Sequence, residues 1–309
     1  MALYLGIDGG GTKTICTVGD ENAVLGTGTS GGSNVIRLGE PEARKSVQTA
    51  ILSACEAASV QPADVERTCI GVAGASVPQV REAIRRFISE IAGGEVIVVG
   101  DNEVALEAAF SGAPGVIVAS GTGSIAYGRN EHGQTARAGG HGFAISDEGS
   151  GHWIGRAAVV AAMRAFDRQQ DTQLHCYIQD AFQVETREQV VKVANATPPP
   201  NFARLFPLVV QAAESGDTVA SEVLARAGEE LAELAIIVLQ KLWPDSTVPR
   251  VGIVGGVFQN SAAVRRSFQR ALLSKYPQAN VNVSVAEPVA GALSLARKGT
   301  QQTTSAGQR

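Results

Sequence analysis

Cysteine is scarce in this chain, and the few cysteines lie far apart. The 309 residues include four, Cys16, Cys55, Cys69 and Cys176, and no two of them form a CxxC pair. This spacing excludes the usual zinc-binding motifs and gives no sign of a disulfide framework. We therefore predict a reducing, cytoplasmic setting for the protein.

The chain also lacks an excess of basic charge and a long apolar run. Its formal net charge is -4, so no basic surface would attract nucleic acid or an anionic membrane. The longest helical apolar stretch, residues 231–242, is interrupted by Glu233 and Lys241 and is too short to span a bilayer. Met1 leads directly into a strand pattern, which argues against export. We expect a small-molecule partner, with no nucleic acid and no membrane.

Apolar periodicity indicates two related lobes. Three short strands open the chain, and helices then alternate with strands up to about residue 110. After the turn at residues 111–115 the same order begins again, which predicts an N-terminal lobe, 1–112, and a C-terminal lobe, 113–287, facing each other. Further helices are predicted at 150–166, 201–213 and 218–242. A last helix begins at Pro288, and the polar tail, 299–309, is predicted to be disordered.

Glycines follow apolar strands at four places: Gly9 to Gly11, Gly26 to Gly31, Gly121 to Gly123, and Gly255 with Gly256. Such turns expose backbone N–H groups to phosphate, but each one alone is more simply a tight turn. The first cannot be a Walker loop, because Lys13 follows Thr12 instead of glycine. The second matches G-x-G-x-x-G, yet no helix starts there, so dinucleotide binding is excluded.

The combination of features is more informative than any single turn. Asp8 ends the first strand beside one glycine turn, and Gly121-Thr122-Gly123 occupies the matching place in the second lobe. Two such turns would hold a triphosphate, and a carboxylate beside them would serve Mg²⁺. The alternative is that Asp8 only stabilises its own turn through backbone hydrogen bonds.

Three further polar residues have both a structural and a functional interpretation. Asp101 follows an apolar strand and precedes a helix, so its default role is helix N-cap, and a general base is the alternative. Asp147 also precedes a helix and has the same default role. Asn34 lies among glycines, where turn chemistry competes with binding of a hydroxylated ligand.

Taken together, these residues resemble the actin-like ATPase superfamily, in particular its BadF/BadG/BcrA/BcrD-type branch and, within it, the N-acetylglucosamine and glucosamine kinases. The resemblance covers nearly the whole chain. It rests on residues 6–14, 31–34, 100–102, 120–124, 139–140, 146–151, 255–256 and 288–292.

The resemblance implies an α/β, two-lobed, ribonuclease H-like fold with duplicated βββαβαβα units, an interdomain cleft, and a final helix, 288–298, packed on the first lobe. It implies an ATP- and Mg²⁺-dependent kinase for the 6-hydroxyl of an amino sugar, with a homodimer as one expectation. Asp8 would serve the metal and Asp101 would be the catalytic base. The implied ATP-binding residues are Gly9, Gly10, Gly11, Thr12, Lys13, Gly121, Thr122, Gly123, Gly255 and Gly256. The implied sugar-binding residues are Asn34, Asp101, Gly139, Gly140 and Asp147.

Rival functions remain open at this point. The same branch contains ATPase activators of acyl-CoA dehydratases, which carry a cysteine shortly before the Gly-Thr-Gly turn, whereas residues 116–120 here contain none. The related repressor and kinase family with a structural zinc is disfavoured because its CxCGxxGC run is absent, and no helix-turn-helix pattern precedes Leu3. A non-catalytic protein that binds ATP or sugar is the remaining alternative, since Asp101 would also serve as a cap.

Overall fold

The structure, a computed structural model, describes residues 2–244 and 250–299. The chain divides into two compact units. Unit 1 contains Met1–Ile117, Arg129–Gln134 and the segment from Ala286 onwards, and unit 2 contains Val118–Gly128 and Thr135–Val285. The division therefore falls within a strand, five residues after the predicted lobe boundary.

Unit 1 is built on a five-stranded sheet with the order β3-β2-β1-β4-β5. Its strands are β1 Leu3–Gly9, β2 Lys13–Gly19, β3 Val24–Gly31, β4 Val65–Val72 and β5 Glu95–Gly100. The first three form an antiparallel meander, whereas β4 and β5 run parallel to β1. Its helices are α1 Val35–Leu38, α2 Glu40–Ala58, α3 Pro78–Ser89, α4 Asp101–Phe110 and α12 Pro288–Lys298.

Both faces of this sheet are covered. Leu5 and Ile7 of β1 point to one face, where they share a core with Val47 of α2 and Phe87 of α3. Tyr4 points to the other face, whose core includes side chains of α4 and α12. Because both faces are buried, β1 is a nearly continuous apolar run instead of an alternating one.

Glycine allows α12 to lie directly on β1. A Cβ added to Gly6 of β1 would lie 2.3 Å from the backbone nitrogen of Leu293. Such an approach is impossible for any residue with a side chain. The C-terminal helix is thus an integral part of unit 1.

Unit 2 repeats the strand order of unit 1. Its strands are β6 Gly115–Ser120, β7 Ser124–Arg129, β8 Thr135–Gly139, β9 Arg250–Val254 and β10 Asn280–Ala286. They are ordered β10-β9-β6-β7-β8, which is the unit 1 order read from the other edge, with β6 in the place of β1. The predicted duplication of βββαβαβα units is therefore confirmed.

The helices of unit 2 outnumber the predicted ones. They are α5 Gly151–Asp167, α6 Leu174–Phe182, α7 Arg187–Ala194, α8 Phe206–Glu214, α9 Thr218–Leu242, α10 Gly256–Asn260 and α11 Ala262–Lys275. The helices α6 and α7 were not predicted. They are eight or nine residues long and bury at most three side chains each, which leaves little periodicity to detect.

The sequence indicates that the glycines of the G-x-G-x-x-G match follow a strand. In the structure they lie inside β3 instead. A Cβ on Gly26 would lie 2.5 Å from the carbonyl oxygen of Ala54, and one on Gly28 would lie 2.3 Å from that of Ala50. Both glycines therefore serve the close packing of α2 on β3. This location agrees with the exclusion of dinucleotide binding.

The predicted tail, 299–309, begins at the C-cap of α12. Gly299 is buried, has a φ of 72° and caps α12, so the predicted disorder does not apply to it. Residues 300–309 lie outside the described part of the chain. In the part that is described, no helix has the length and apolar character needed to cross a membrane.

Candidate active site

The first glycine turn, residues 9–13, joins β1 to β2 in unit 1. The Gly10 N–H donates to the carbonyl oxygen of Lys13 at 3.0 Å and closes the turn. A Cβ on Gly10 would lie 2.7 Å from that same oxygen, so close approach and not a positive φ requires glycine there. Within the described residues the N–H groups of Gly11 and Thr12 have no acceptor. They are the donors this turn offers to a phosphate.

Residues 31–34 are fixed against this turn. The N–H of Ser33 donates to the carbonyl oxygen of Gly10 at 3.0 Å. The buried hydroxyls of Thr14 and Ser33 are hydrogen-bonded at 2.9 Å, and Thr14 Oγ1 also lies 2.8 Å from the carbonyl oxygen of Gly31. Asn34, which follows directly, is thereby held next to the turn. Thr14 and Ser33 were not among the predicted site residues, although both stand beside glycine motifs.

Asn34 has the turn role that the sequence offered as one alternative. It is the N-cap of α1, and its Oδ1 accepts a hydrogen bond from the Arg37 N–H at 3.1 Å. This bond uses the side-chain oxygen. The amide nitrogen Nδ2 has no partner among the described residues, so it can still donate to a hydroxylated ligand.

Asp8 and Asp101 lie at the same edge of the unit 1 sheet. Gly9 of β1 aligns with Val72 of β4, which in turn aligns with Gly100 of β5. The carboxyl ends of these three parallel strands therefore meet, and the backbones of β1 and β5 are separated by two strand spacings, about 10 Å. Ligand crevices of α/β sheets open at this edge.

The carboxylate of Asp8 is half-buried and accepts no hydrogen bond within the described residues. The contacts therefore give no support to the alternative that it only stabilises its own turn. Burial, together with the negative charge of Asp101, raises the pKa of Asp8 to about 6. A group with these properties is suited to bind a cation.

Asp101 is not the N-cap of α4, contrary to its expected default role. Gly100 is the N-cap of α4, its N–H donates to Glu103 Oε1 at 3.0 Å, and Asp101 is the first helical residue. Asp101 Oδ1 accepts from the Asn102 N–H at 3.0 Å. Burial raises the pKa of Asp101, and hydrogen bonds from backbone N–H groups partly oppose the increase. Such a carboxylate is more basic than an exposed one.

The second glycine turn, residues 121–123, joins β6 to β7 in unit 2. The Gly121 N–H donates to the carbonyl oxygen of Gly123 at 2.9 Å. Nothing lies within 4 Å of the position of a Cβ on Gly121. Within the described residues the N–H groups of Thr122 and Gly123 have no acceptor. This turn therefore resembles the first one, because it also has two unbonded donors and an open face.

Asp147 lies against the second glycine turn and is not a helix cap, contrary to its expected default role. Ser150 is the N-cap of α5, with its Oγ accepting from the Trp153 N–H. Asp147 Oδ1 accepts from the Ser124 N–H at 3.3 Å, and a Cβ on Gly123 would lie 3.0 Å from Asp147 Oδ2. Burial raises the pKa of Asp147, and the bond from Ser124 opposes the increase.

Two serines fix this loop to the strands. Ser120 Oγ donates to the carbonyl oxygen of Gly149 at 2.9 Å, and Ser124 Oγ donates to that of Glu148 at 2.7 Å. Both flank the second glycine turn in the sequence. This arrangement of hydroxyls next to the glycines, found in both units, is the signal that could have identified them.

The remaining predicted residues also lie in unit 2. Gly139 and Gly140 have φ values of 74° and 72°, which favour glycine. Gly255 has a φ of 103°, and its Cβ would lie 2.3 Å from the carbonyl oxygen of Ser120. It therefore lies beside the end of β6, where the second glycine turn begins, and Gly256 starts α10.

The predicted residues thus form one group in each unit. Asp8, Asn34, Asp101 and the first glycine turn lie in unit 1, whereas Asp147, Gly139, Gly140, Gly255, Gly256 and the second glycine turn lie in unit 2. A groove of about 620 Å³ along the edge strand β5, lined by Arg81, Arg85 and Glu103 among others, contains none of them. Its lining includes Ser89 and Gly94 but neither of the two glycine turns with unbonded N–H groups, so we do not assign the chemistry to it.

Comparison with known proteins gives consistent matches over nearly the whole chain. The profile of the BadF/BadG/BcrA/BcrD ATPase family matches residues 5–295. A protein of Clostridium acetobutylicum named N-acetylmuramic acid/N-acetylglucosamine kinase is 32% identical over 302 residues, 96% of this chain and 99% of that protein. An N-acetyl-D-glucosamine kinase of Dictyostelium discoideum is 28% identical, over 95% of this chain and 97% of its own length.

A solved structure has the same fold. It comes from Chromobacterium violaceum and is provisionally named an N-acetylglucosamine kinase. It is 27% identical to this chain, covers 95% of this chain and 98% of its own, and has a TM-score of 0.75. The fold is therefore the actin-like one that the sequence predicted.

Proposed function

The chain belongs to the BadF/BadG/BcrA/BcrD ATPase family, and we propose that it transfers the terminal phosphoryl group of ATP to the 6-hydroxyl of an amino sugar, N-acetylglucosamine or glucosamine. The observation that carries this proposal is the pair of carboxylates Asp8 and Asp101 at the carboxyl edge of the parallel strands, next to the first glycine turn. Its family and its kinase relatives support the same activity.

Asp101 is the proposed catalytic base. It takes the proton from the sugar 6-hydroxyl, and the hydroxyl oxygen then attacks the terminal phosphorus of ATP while ADP leaves. A base must be ionised at working pH and yet basic enough to accept a proton. The increase that burial causes in the pKa of Asp101 supports this role.

The two glycine turns are the proposed phosphate-binding elements. The unbonded N–H groups of Gly11, Thr12, Thr122 and Gly123 support this assignment, since preorganised donors stabilise the charge that develops on the transferred group. Lys13 adds a positive charge at the first turn. Gly255 and Gly256 are proposed to contact the adenosine, since Gly255 lies at a strand end beside the second turn.

The proposed sugar-binding residues are Asn34, Asp101, Gly139, Gly140 and Asp147. Asn34 offers Nδ2 to a sugar hydroxyl, because only its Oδ1 is used in the bond from the Arg37 N–H. Asp147 offers the carboxylate oxygens that the Ser124 bond leaves available.

Mg²⁺ is the proposed metal, and Asp8 its proposed protein ligand. Mg²⁺ prefers oxygen ligands, and in phosphoryl-transfer enzymes it is held by one or two carboxylates together with substrate phosphates and water. The half-buried, unbonded carboxylate of Asp8 fits this requirement, although the described residues contain no cluster of three or more acidic, cysteine or histidine side chains that could hold a metal alone. When bound, Mg²⁺ neutralises phosphate charge.

Three further features belong to the proposal. The protein is proposed to act in the cytoplasm on a small-molecule sugar, without nucleic acid, and as a homodimer. The dehydratase-activator alternative is disfavoured by the kinase relatives and by the absence of cysteine from residues 116–120. A non-catalytic ATP- or sugar-binding protein is the alternative that an experiment must address.

Coupled ADP release, measured with a panel of sugars, tests the proposed function. We expect N-acetylglucosamine or glucosamine to stimulate ADP release well above the rate without sugar, and glucose and N-acetylmannosamine to be weaker. The better of the two amino sugars identifies the acyl preference. Absence of stimulation by every sugar would refute the kinase assignment and favour a binding protein.

A further inference from the structure

Arg37 places a guanidinium group beside the first glycine turn. The residue belongs to α1, which begins directly after Asn34. Its Nη1 lies 3.7 Å from the position that a Cβ on Gly11 would occupy. Gly11 is one of the two residues whose N–H groups are unbonded at this turn, so the guanidinium lies next to a residue that carries one of these donors.

The backbone that leads to Arg37 is fixed to the turn by buried contacts. Ser33, only 1% exposed, is hydrogen-bonded through its N–H to Gly10 and through its hydroxyl to Thr14. A Cβ on Gly32 would lie 2.4 Å from the carbonyl oxygen of Gly11. The first turn of α1 is in turn capped by Asn34. The location of Arg37 is therefore imposed by the fold.

The positive charge of Arg37 is not neutralised within the described residues. Arg44, Arg67 and Arg86 each pair with a glutamate, whereas Arg37 has neither an ion pair nor a side-chain hydrogen bond. The five donors of Arg37 are therefore available to a ligand.

We propose that Arg37 binds an oxyanion of a ligand held at the first glycine turn, an inference that rests on the proposed kinase function. A guanidinium next to unbonded backbone N–H groups is the arrangement that recognises phosphate or carboxylate oxygens. Two sources carry such a group: the terminal phosphoryl group of ATP, and the carboxylate of an acidic amino sugar such as N-acetylmuramic acid.

The test compares Arg37→Met with the wild-type protein, using N-acetylglucosamine, which is neutral, and N-acetylmuramic acid, which carries a carboxylate. If the oxyanion is the phosphoryl group, kcat/KM falls by about tenfold to a hundredfold with both sugars, because a charge-assisted hydrogen bond is lost in each case. If it is the sugar carboxylate, the same fall occurs with N-acetylmuramic acid alone.

Arg266→Met is the matched control, because Arg266 is an exposed arginine on α11 without an ion pair in the described residues. Arg37→Lys should recover part of the loss, since lysine keeps the charge but not the planar pair of donors. The proposal is overturned if Arg37→Met behaves like Arg266→Met with both sugars.

Ligand affinities measured by calorimetry test the role of Arg37 separately from the proposed kinase activity. Arg37→Met should lose the preference of the wild-type protein for ATP over ADP, or its affinity for the acidic sugar. A wild-type protein that binds these ligands without turnover would refute the kinase assignment, and the affinities would still decide the role of Arg37. If Arg37→Met and the wild-type protein bind these ligands with equal affinity, the proposed role of Arg37 is refuted and the kinase assignment is not affected.

Discussion

The pKa values of Asp8 and Asp101 depend on the sheet edge at which these two residues lie. Neither is neutralised by a cation in the described residues, and burial raises the pKa of both. Folded proteins tolerate such uncompensated carboxylates where a ligand or metal will later interact with them. The amount by which ionised Asp8 lowers the free energy of unfolding of the ligand-free protein can be measured directly.

We predict that Asp8→Asn stabilises the ligand-free protein at pH 8. The pKa of Asp8 in the folded protein, about 6, exceeds its ordinary value of 3.8, so the folded state holds the proton more tightly than the unfolded chain. Ionised Asp8 therefore lowers the free energy of unfolding, by the full amount above pH 6. This penalty decreases as the pH falls from 6 to 3.8 and is lost below that. The gain at pH 8 is on the order of 2 kcal/mol.

Urea unfolding without Mg²⁺ and nucleotide, at pH 8 and pH 4, is the measurement. The difference in free energy of unfolding between Asp8→Asn and wild type should be large at pH 8 and small at pH 4. Asp171→Asn, at an exposed position, should change little at either pH. An Asp8→Asn protein that is less stable than wild type at pH 8 would contradict the half-buried, unpaired state of this carboxylate.

The residue roles were only partly predictable from the sequence. The sequence predicts Asp8, Asp101 and both glycine turns as site residues, because glycines and acids after apolar strands are a local pattern. It could not distinguish a cap from a site residue, since this depends on the backbone: Asn34 caps α1, whereas Gly100 and Ser150 take the cap positions offered to Asp101 and Asp147. It also missed Arg37, because nothing local shows that α1 returns over the first glycine turn.

At the scale of elements, α12 and α4 pack so closely that glycine is required between them. A Cβ on Gly291 of α12 would lie 2.0 Å from the carbonyl oxygen of Val104 and 2.6 Å from the nitrogen of Ala108 on α4. The same contact is secured by an ion pair, in which Lys298 Nζ donates to the buried Glu107 Oε1 at 2.5 Å. The C-terminal helix therefore supports the helix that begins with Asp101.

We predict that Gly291→Ala destabilises the protein by roughly 3 kcal/mol, because the added methyl group forces α12 away from α4. Thermal unfolding of the purified variant measures the effect. Ala290→Ser, on the exposed side of the same helix, should be nearly neutral. Equal melting temperatures for the two variants would mean that α12 does not lie on α4 as described.

Element boundaries follow the sequence where the pattern is long and local. The structure gives α9 as Thr218–Leu242, the range that apolar periodicity predicts, because 25 residues repeat the pattern many times. Strand β3 was predicted to end near Gly26 but continues to Gly31. Its glycines are strand residues only because α2 packs on them, and such tertiary contact leaves no local signal.

At the scale of the whole molecule, one architecture occurs twice. Both sheets have the same strand order, and each unit has a hairpin with glycines and two unbonded N–H groups. The element order of the sequence predicted this duplication, because the strand-turn-strand opening recurs after residue 112. The preference for one sugar was not predictable, since it depends on side chains from many separate segments.

In the proposed reaction the phosphoryl group reaches the sugar and not water, and this transfer needs Asp101. Phosphorus NMR of ATP mixed with the stimulating amino sugar, followed with wild type and with Asp101→Asn, measures both properties at once. We predict that wild type forms the sugar 6-phosphate in step with ADP, and that Asp101→Asn slows its formation by about 10²- to 10⁴-fold while still binding ATP. Inorganic phosphate as the only product of wild type, or near-normal sugar phosphate formation by Asp101→Asn, would contradict the account.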